Sequence, residues 1–184
     1  MTGVLALQGD FAAHGRALDS IGEPWGEVRT TEDLANCTRL IIPGGESTTL
    51  GILLQLAGLD AAIGARFQSG MPIWGTCMGM ILLAKEIEGS DQFRFGLLDV
   101  AVRRNAFGAQ VFSFEQGFAM KPFDSPVHGV FIRAPIVTRC GDGVEPLAVV
   151  DEKIVAVRSE KILGTSFHPE LTEDIRIHEF FLKF

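Results

Sequence analysis

Positive charge is scarce in this chain, and so is cysteine. Sixteen Lys and Arg stand against 23 Asp and Glu, a formal net charge of −7. The clustered Lys and Arg that nucleic acid or an anionic membrane surface demands are missing, so the expected partners are soluble small molecules or proteins, with no nucleic acid and no membrane. The three cysteines, Cys37, Cys77 and Cys140, lie far apart without a Cys-x-x-Cys spacing. Neither a metal site nor a disulfide framework is expected, no cofactor is implied, and a reducing cytoplasm fits. No charged, apolar secretory leader opens the sequence, because residues 2–7 run straight into Gln8-Gly9-Asp10, and the sequon Asn36-Cys37-Thr38 is therefore read as chance. The longest uncharged run, 67–84, is broken by Gln68, Ser69, Pro72 and three glycines, which marks a buried strand and helix rather than a membrane span. There is no Gly-x-x-x-x-Gly-Lys-[Ser/Thr] loop for a nucleotide phosphate. Without repeats, low-complexity stretches or linkers, 184 residues of 47% hydrophobic content predict one well-buried core and a single domain spanning 1–184.

What is present reads as an α/β fold. Short apolar runs alternate with helical patterns through the first half, the signature of a flavodoxin-like, mostly parallel sheet covered by helices on both faces. Strands are predicted at 4–7, 25–28, 39–42 and 72–76. Phe11, His14, Leu18 and Ile21 recur at helical spacing and end at Gly22; further helices are expected at 47–56, with Leu50, Leu53 and Leu54 facing inward, and at 59–67. After Lys85 the pattern turns β-rich, at 97–103, 111–118, 129–133, 147–150, 154–158 and 162–167. Asp151-Glu152-Lys153 and Ser159-Glu160-Lys161 look like hairpin turns of an antiparallel meander. A last helix is predicted over 172–184.

The segment Pro72-Ile73-Trp74-Gly75-Thr76-Cys77-Met78-Gly79-Met80 runs from an apolar strand through Gly-x-Cys-x-Gly into an apolar helix. In the serine version of this nucleophile elbow, glycines flank a residue on a strained, crowded turn, and the reactive atom is left exposed at the sheet edge. A thiol placed there also lies beside a helix N-terminus, whose free N–H groups favour a thiolate and hold an oxyanion. Free cysteine is equally common as a small core hydrophobe, so the segment alone leaves both readings open. Ser166-Phe167-His168-Pro169-Glu170 tips the balance. It sets a histidine and a carboxylate two residues apart at a strand end, with Pro169 stiffening the backbone between them, and Cys77, His168 and Glu170 form a candidate triad. A second loop, Leu40-Ile41-Ile42-Pro43-Gly44-Gly45-Glu46-Ser47, follows a strand into a helix. Its paired glycines permit φ > 0 and let an N–H point into a crevice, while Glu46 and Ser47 also suit simple helix capping. His14 is read as a packed histidine, near the partner surface by its proximity to Gln8-Gly9-Asp10; His128 and His178 as surface or structural; Arg103 and Arg104 as a solvated strand end.

Gly3-Val4-Leu5-Ala6-Leu7-Gln8-Gly9-Asp10, Pro43-Gly44-Gly45-Glu46-Ser47-Thr48-Thr49, Gly75-Thr76-Cys77-Met78-Gly79-Met80, Arg104-Asn105-Ala106-Phe107-Gly108, Phe131-Ile132-Arg133-Ala134-Pro135 and Phe167-His168-Pro169-Glu170-Leu171 together resemble the class I, triad-type glutamine amidotransferases. Within them the sequence is most similar to the glutaminase subunits of pyridoxal 5′-phosphate (vitamin B6) synthase, over residues 3 to about 171. The resemblance implies hydrolysis of L-glutamine to L-glutamate and ammonia through a thioester, with Cys77 as nucleophile, His168 as base and acid, and Glu170 orienting the histidine. It implies glutamine binding by Gly45, Glu46, Ser47, Arg104, Ile132 and Arg133, and oxyanion donors from Gly44, Gly45 and Met78. The implied partner is the synthase subunit, a (β/α)₈ barrel that combines the ammonia with ribose 5-phosphate and glyceraldehyde 3-phosphate. Met78 departs from the alanine usual in the family, Ala109 from a common arginine, and 120–128 looks atypical. The competing readings are a glutaminase subunit serving histidine or purine synthesis, a stand-alone Cys-elbow hydrolase, and a noncatalytic binding subunit. Glu170 two residues after His168 favours the amidotransferase arrangement, and an intact set of all three residues is more than a binding module needs.

Overall fold

The computed structural model describes residues 1–106 and 113–184. In chain order the elements are β1 (Thr2–Leu5), α1 (Phe11–Ile21), β2 (Trp25–Val28), α2 (Thr31–Ala35), β3 (Arg39–Ile42), α3 (Ser47–Leu56), α4 (Leu59–Gln68), β4 (Ile73–Thr76), α5 (Met78–Leu83), β5 (Ala84–Ile87), β6 (Leu98–Arg103), β7 (Ser113–Phe118), β8 (Val127–Ile132), β9 (Ile136–Cys140), β10 (Glu145–Val150), β11 (Lys153–Arg158), β12 (Ile162–Thr165) and α6 (Arg176–Phe181), with a 3₁₀ turn at Pro169–Leu171 before the last helix. One sheet runs β2-β1-β3-β4-β12-β11-β9-β6-β5, with β10 paired to β11, while β7 and β8 form a separate antiparallel ribbon. The strands β2, β1, β3, β4 and β12 are mutually parallel neighbours. Their carboxyl ends therefore share one edge, where an open α/β sheet places its ligand crevice.

Side chains alternate across this sheet by strand periodicity, and the core splits accordingly. Leu5, Leu40, Ile42 and Ile73 face α2, α3, α4 and α5 on one side. Val4, Ile41, Trp74 and Leu163 face α1 and α6 on the other, with Phe131 and Phe167. Both faces are covered, as the continuous apolar strands predict.

Several boundaries moved for identifiable reasons. The first strand lies at Thr2–Leu5, two residues earlier than predicted, because Thr2 already pairs with Trp25 and Arg39. Leu53 is only half-buried, leaving Leu50 and Leu54 as the inward residues of α3. The short helix α2, closed by a capping box between Thr30 and Asp33, went unpredicted, as did β5 and β9. The turn expected at Asp151–Lys153 is a two-residue connection, Asp151 and Glu152 taking φ of 47° and 62° between the partners Val150 and Lys153. The meander proper is β10-β11-β12, while the predicted strand at 111–118 forms part of the ribbon, its residues 111–112 lying outside the described residues with Phe107, Gly108 and Ala109. The last helix is half its predicted length. Thr172 Oγ1 accepts from the Asp174 amide at 3.1 Å and Asp174 Oδ1 from the Arg176 amide at 3.2 Å, side-chain bonds that compete with helix propagation. Among the described residues no single helix is long and apolar enough to cross a membrane.

Candidate active site

The parallel edge gathers the predicted residues into one cavity of about 430 Å³. The turn after β1 contributes Gln8, Gly9 and Asp10; that after β3 contributes Gly44, Gly45 and Glu46; β4 delivers Cys77 and Met78; and the turn after β12 delivers His168 and Leu171. Arg104 and Asn105 follow β6, and Ile132 and Arg133 end the β7-β8 ribbon.

The elbow explains its own glycines. Cys77 takes φ 49° and ψ −105° between β4 and α5, a left-handed conformation that costs a non-glycine residue on the order of 1–3 kcal/mol. The turn is so tight that a Cβ on Gly75 would stand 2.4 Å from the Gly79 carbonyl carbon, and one on Gly79 would stand 2.0 Å from the Ile42 oxygen. The Cys77 amide is fixed to the Thr165 carbonyl at 2.7 Å, while its sulfur approaches the Ile132 carbonyl loosely at 3.9 Å and pairs with the His168 imidazole. Met78 opens α5, so its amide has no intrahelical acceptor.

His168 is anchored by its backbone amide to the Val130 carbonyl at 2.8 Å. Its Nδ1 lies 2.7 Å from Glu170 Oε1, which fixes the tautomer and turns Nε2 toward the Cys77 sulfur. Burial opposes charge on this imidazole, yet the Cys77 sulfur and the Glu170 carboxylate outweigh it, and the pKa is pushed up to about 10. Burial also works against the Glu170 carboxylate, but His14 and His168 more than offset it and hold its pKa below the ordinary range. His168, raised above its unfolded 6.5, contributes stability that is complete below about pH 6.5 and is lost as pH rises toward 10. The buried histidines His14 and His178, whose pKa values are lowered by burial, and the depressed Glu170 act on the other side and lose stability as pH falls. The thermal midpoint is therefore expected to peak near neutrality and decline from pH 6.5 to 10, and calorimetry should show that alkaline decline flattened in His168→Asn. An equal decline in the variant would remove His168 as its cause.

The glycine loop works by close approach. Neither Gly44 nor Gly45 has positive φ; that conformation belongs to Gly9, at 87°. Gly44 is small because a Cβ there would meet His168 Cε1 at 2.4 Å and Cys77 Cβ at 3.3 Å. Its N–H donates to Thr76 Oγ1 at 3.1 Å, and the Glu46 N–H to Gln8 Oε1 at 3.2 Å. Gly45 N–H, lying between them, has no acceptor among the described residues.

The remaining predicted residues divide. Glu46 caps α3 through the amides of Thr48 and Thr49 at 3.3 and 2.8 Å and also lines the cavity, 3.7 Å from the Arg104 guanidinium; those helix amides hold its pKa below the carboxylate norm. Ser47 does not line the cavity. It is buried beneath, its hydroxyl donating to Gln92 Oε1 at 3.2 Å, and the same oxygen accepts from Arg104 at 3.0 Å. Gln92 is a supporting residue that nothing in its irregular surroundings marked in advance. Arg103 points to solvent and pairs with Glu88 at 2.7 Å, whereas Arg104 turns into the site. Gln8, Gly9 and Asp10, which carry part of the family resemblance but were not predicted as site residues, line the cavity from the turn after β1. His128 is exposed against Glu115 at 3.2 Å, while His178 is buried.

Residues 4–184 match the model of the SNO glutamine amidotransferase family. A pyridoxal 5′-phosphate synthase subunit PdxT from Desulforudis audaxviator is 51% identical over 99% of this chain and 97% of its own length; its namesake from Thermus thermophilus is 51% identical over 100% and 96%. A crystal structure of a glutamine amidotransferase superposes with a TM-score of 0.95 at 49% identity, covering 99% of this chain and 97% of the other.

Proposed function

Since the chain belongs to the SNO glutamine amidotransferase family, we propose that it is the glutaminase subunit of a pyridoxal 5′-phosphate synthase, hydrolysing L-glutamine and passing the ammonia to a synthase subunit. The observation that carries the mechanism is the convergence of a strained Cys77 with a His168 held by Glu170 at 2.7 Å in one cavity. The Cys77 sulfur attacks the side-chain carboxamide carbon of glutamine. The carbonyl electron pair moves onto oxygen, which is received by the amides of Gly45 and Met78. His168 gives its proton to the leaving nitrogen, the C–N bond breaks, and ammonia departs from a thioester on Cys77. His168 then takes a proton from water as its oxygen attacks the thioester carbon, and the C–S bond breaks to release glutamate. Glu170 stabilises the imidazolium at each stage. Arg104, with Arg133 beside it, suits the α-carboxylate of glutamine, and Glu46 the α-ammonium, so the charges of the amino acid meet their opposites at the cavity rim.

The receiving subunit is the (β/α)₈ barrel that the resemblance implies, and the working compartment is the cytoplasm, where three free thiols persist. Ammonia release from L-glutamine is expected to be low for the isolated chain and stimulated by that synthase subunit. Equal release with and without it, or stimulation by an unrelated acceptor subunit instead, would overturn the vitamin B6 assignment.

A further inference from the structure

Two histidines that the reaction leaves unused stand behind the triad. His14 Nε2, projecting from α1, is 3.5 Å from Glu170 Oε2 and 3.3 Å from Thr76 Oγ1. Its Nδ1 is 3.0 Å from His178 Nε2 on α6. His14 and Thr76 are 0% exposed and His178 is 1% exposed, so each polar atom must find its partner within the protein. Trp74 closes the cluster edge-on, its ring centroid 5.5 Å from His14 and 4.9 Å from His178.

Hydrogen-bond chemistry selects one proton arrangement. Were His14 protonated on Nδ1, its Nε2 lone pair would face the lone pairs of Glu170 Oε2 at 3.5 Å. His178 would then have to carry its proton on Nδ1, an atom with no partner among the described residues, leaving a buried donor unmet. With the proton on His14 Nε2, that N–H donates to Thr76 Oγ1 at 3.3 Å and faces Glu170 Oε2 at 3.5 Å, too loosely for a hydrogen bond but close enough to lay its positive end against the carboxylate. His14 Nδ1 accepts from His178 Nε2–H, and a lone pair on His178 Nδ1 rather than a buried N–H stays unmatched. The charged and titratable groups facing the pair are Glu170 and His168 from the turn after β12 and Asp10 at the start of α1; Asp174 faces His178. Burial outweighs the carboxylates, lowering the pKa of His14 and pushing that of His178 down to about 3, so both rings are neutral at pH 7, as this chain of donors requires.

We propose that His14, locked by His178 as the Nε2–H tautomer, is a positioning residue for amide hydrolysis, tying the outer oxygen of Glu170 to the oxyanion loop. The second link runs through Thr76, which accepts the Gly44 N–H at 3.1 Å. One imidazole thus sets the carboxylate that orients His168 and the peptide whose next amide, Gly45 N–H, receives the oxyanion. The inference rests on the glutaminase reading of the site, and its first test needs no turnover. The chain has four histidines, so ¹⁵N-imidazole spectra of the labelled protein resolve each ring. His14 and His178 are expected as neutral Nε2–H tautomers at pH 7. A His14 carrying its proton on Nδ1, or charged at pH 7, overturns the proposal.

The second test is kinetic, in the complex with the synthase subunit. Leaving a buried polar group without the neighbour that matches it typically costs about 1–3 kcal/mol. His14→Leu is accordingly expected to lower kcat about 10- to 100-fold with KM little changed, and to move the His168 titration upward, because a Glu170 carboxylate without the facing N–H holds the imidazolium more strongly. His14→Gln, whose amide donates at a similar reach, should restore most of kcat. Should His14→Leu fail to fold, His14→Gln and the wild-type spectra still decide the matter. Full kcat and an unshifted His168 titration in a folded His14→Leu would refute the role. Absence of glutaminase activity in the wild-type complex would instead refute the functional reading.

Discussion

Cys77→Ala is expected to abolish glutamine hydrolysis while the fold survives. The sulfur's polar partners are the His168 imidazole and, loosely at 3.9 Å, the Ile132 carbonyl, and neither contact holds an element of the fold in place. Alanine keeps the Cβ and the strained backbone of Cys77, and the amide bond to Thr165 does not involve the side chain. Stability should change by no more than about 1 kcal/mol, the scale of a small buried truncation. Activity should fall by at least about 10⁴-fold, because loss of a nucleophile from a cooperating triad removes nearly all of the covalent route. The same variant should shift His168. Its raised pKa depends on the Cys77 sulfur as well as on Glu170, so the imidazole is expected to titrate lower with one partner gone. Ammonia release from the variant complex, a thermal melt and the His168 titration are the three measurements. Undiminished release would disprove the nucleophile; a collapsed melt would show instead that Cys77 is a core thiol.

The elbow was legible because its constraint is local. A Cβ on Gly75 would strike Gly79 four residues on, and the required absence of side chains is written in the glycines themselves, although what crowds Gly79 is Ile42 of β3. The parallel half of the sheet was legible for a similar reason: apolar runs of β1, β3 and β4 alternate with helical stripes, and each side chain's face follows from strand periodicity. What escaped depends on distant encounters. His14 looked like one more packed residue on the stripe of α1, and His178 like a helix residue without pattern; only the docking of α1 and α6 against one sheet face brings them to Glu170. Gln92 serves Ser47 and Arg104 at once from an irregular segment with no periodicity to read. The paired glycines were noticed for the wrong property. They looked like a licence for positive φ, whereas the crowding at Gly44 comes from His168, 124 residues away by subtraction of their numbers.

That crowding makes Gly44→Ala the most informative substitution outside the triad. The added Cβ would stand 2.4 Å from His168 Cε1, 3.2 Å from Nδ1 and 3.3 Å from Cys77 Cβ, and none of these can retreat freely. His168 is pinned by its amide to Val130 and by its Nδ1 to a buried Glu170. Nor can the loop recoil easily, because Gly44 N–H is bonded to Thr76 and its carbonyl oxygen sits where a Cβ on Gly9 would be 1.8 Å away. Either the imidazole moves off the Cys77 sulfur or the peptide carrying the Gly45 amide rotates out of line. A displacement of about 1 Å in a reacting group costs on the order of 10²-fold, and loss of an oxyanion donor about 10²- to 10³-fold, so kcat should fall by about 10²- to 10³-fold with all three triad residues intact. Gly45→Ala supplies the contrast. Its Cβ would meet the end of the Gln8 side chain at 3.2 and 3.4 Å and the Gly9 Cα at an ordinary 3.6 Å, contacts that a shift of Gln8 by a few tenths of an ångström relieves, and the expected loss is much smaller. Steady-state glutaminase assays on the two variant complexes, each checked by melting temperature, decide between close approach and a general need for loop flexibility. Equal losses at the two positions would favour flexibility, whereas a loss confined to Gly44 would locate the constraint at the His168 contact.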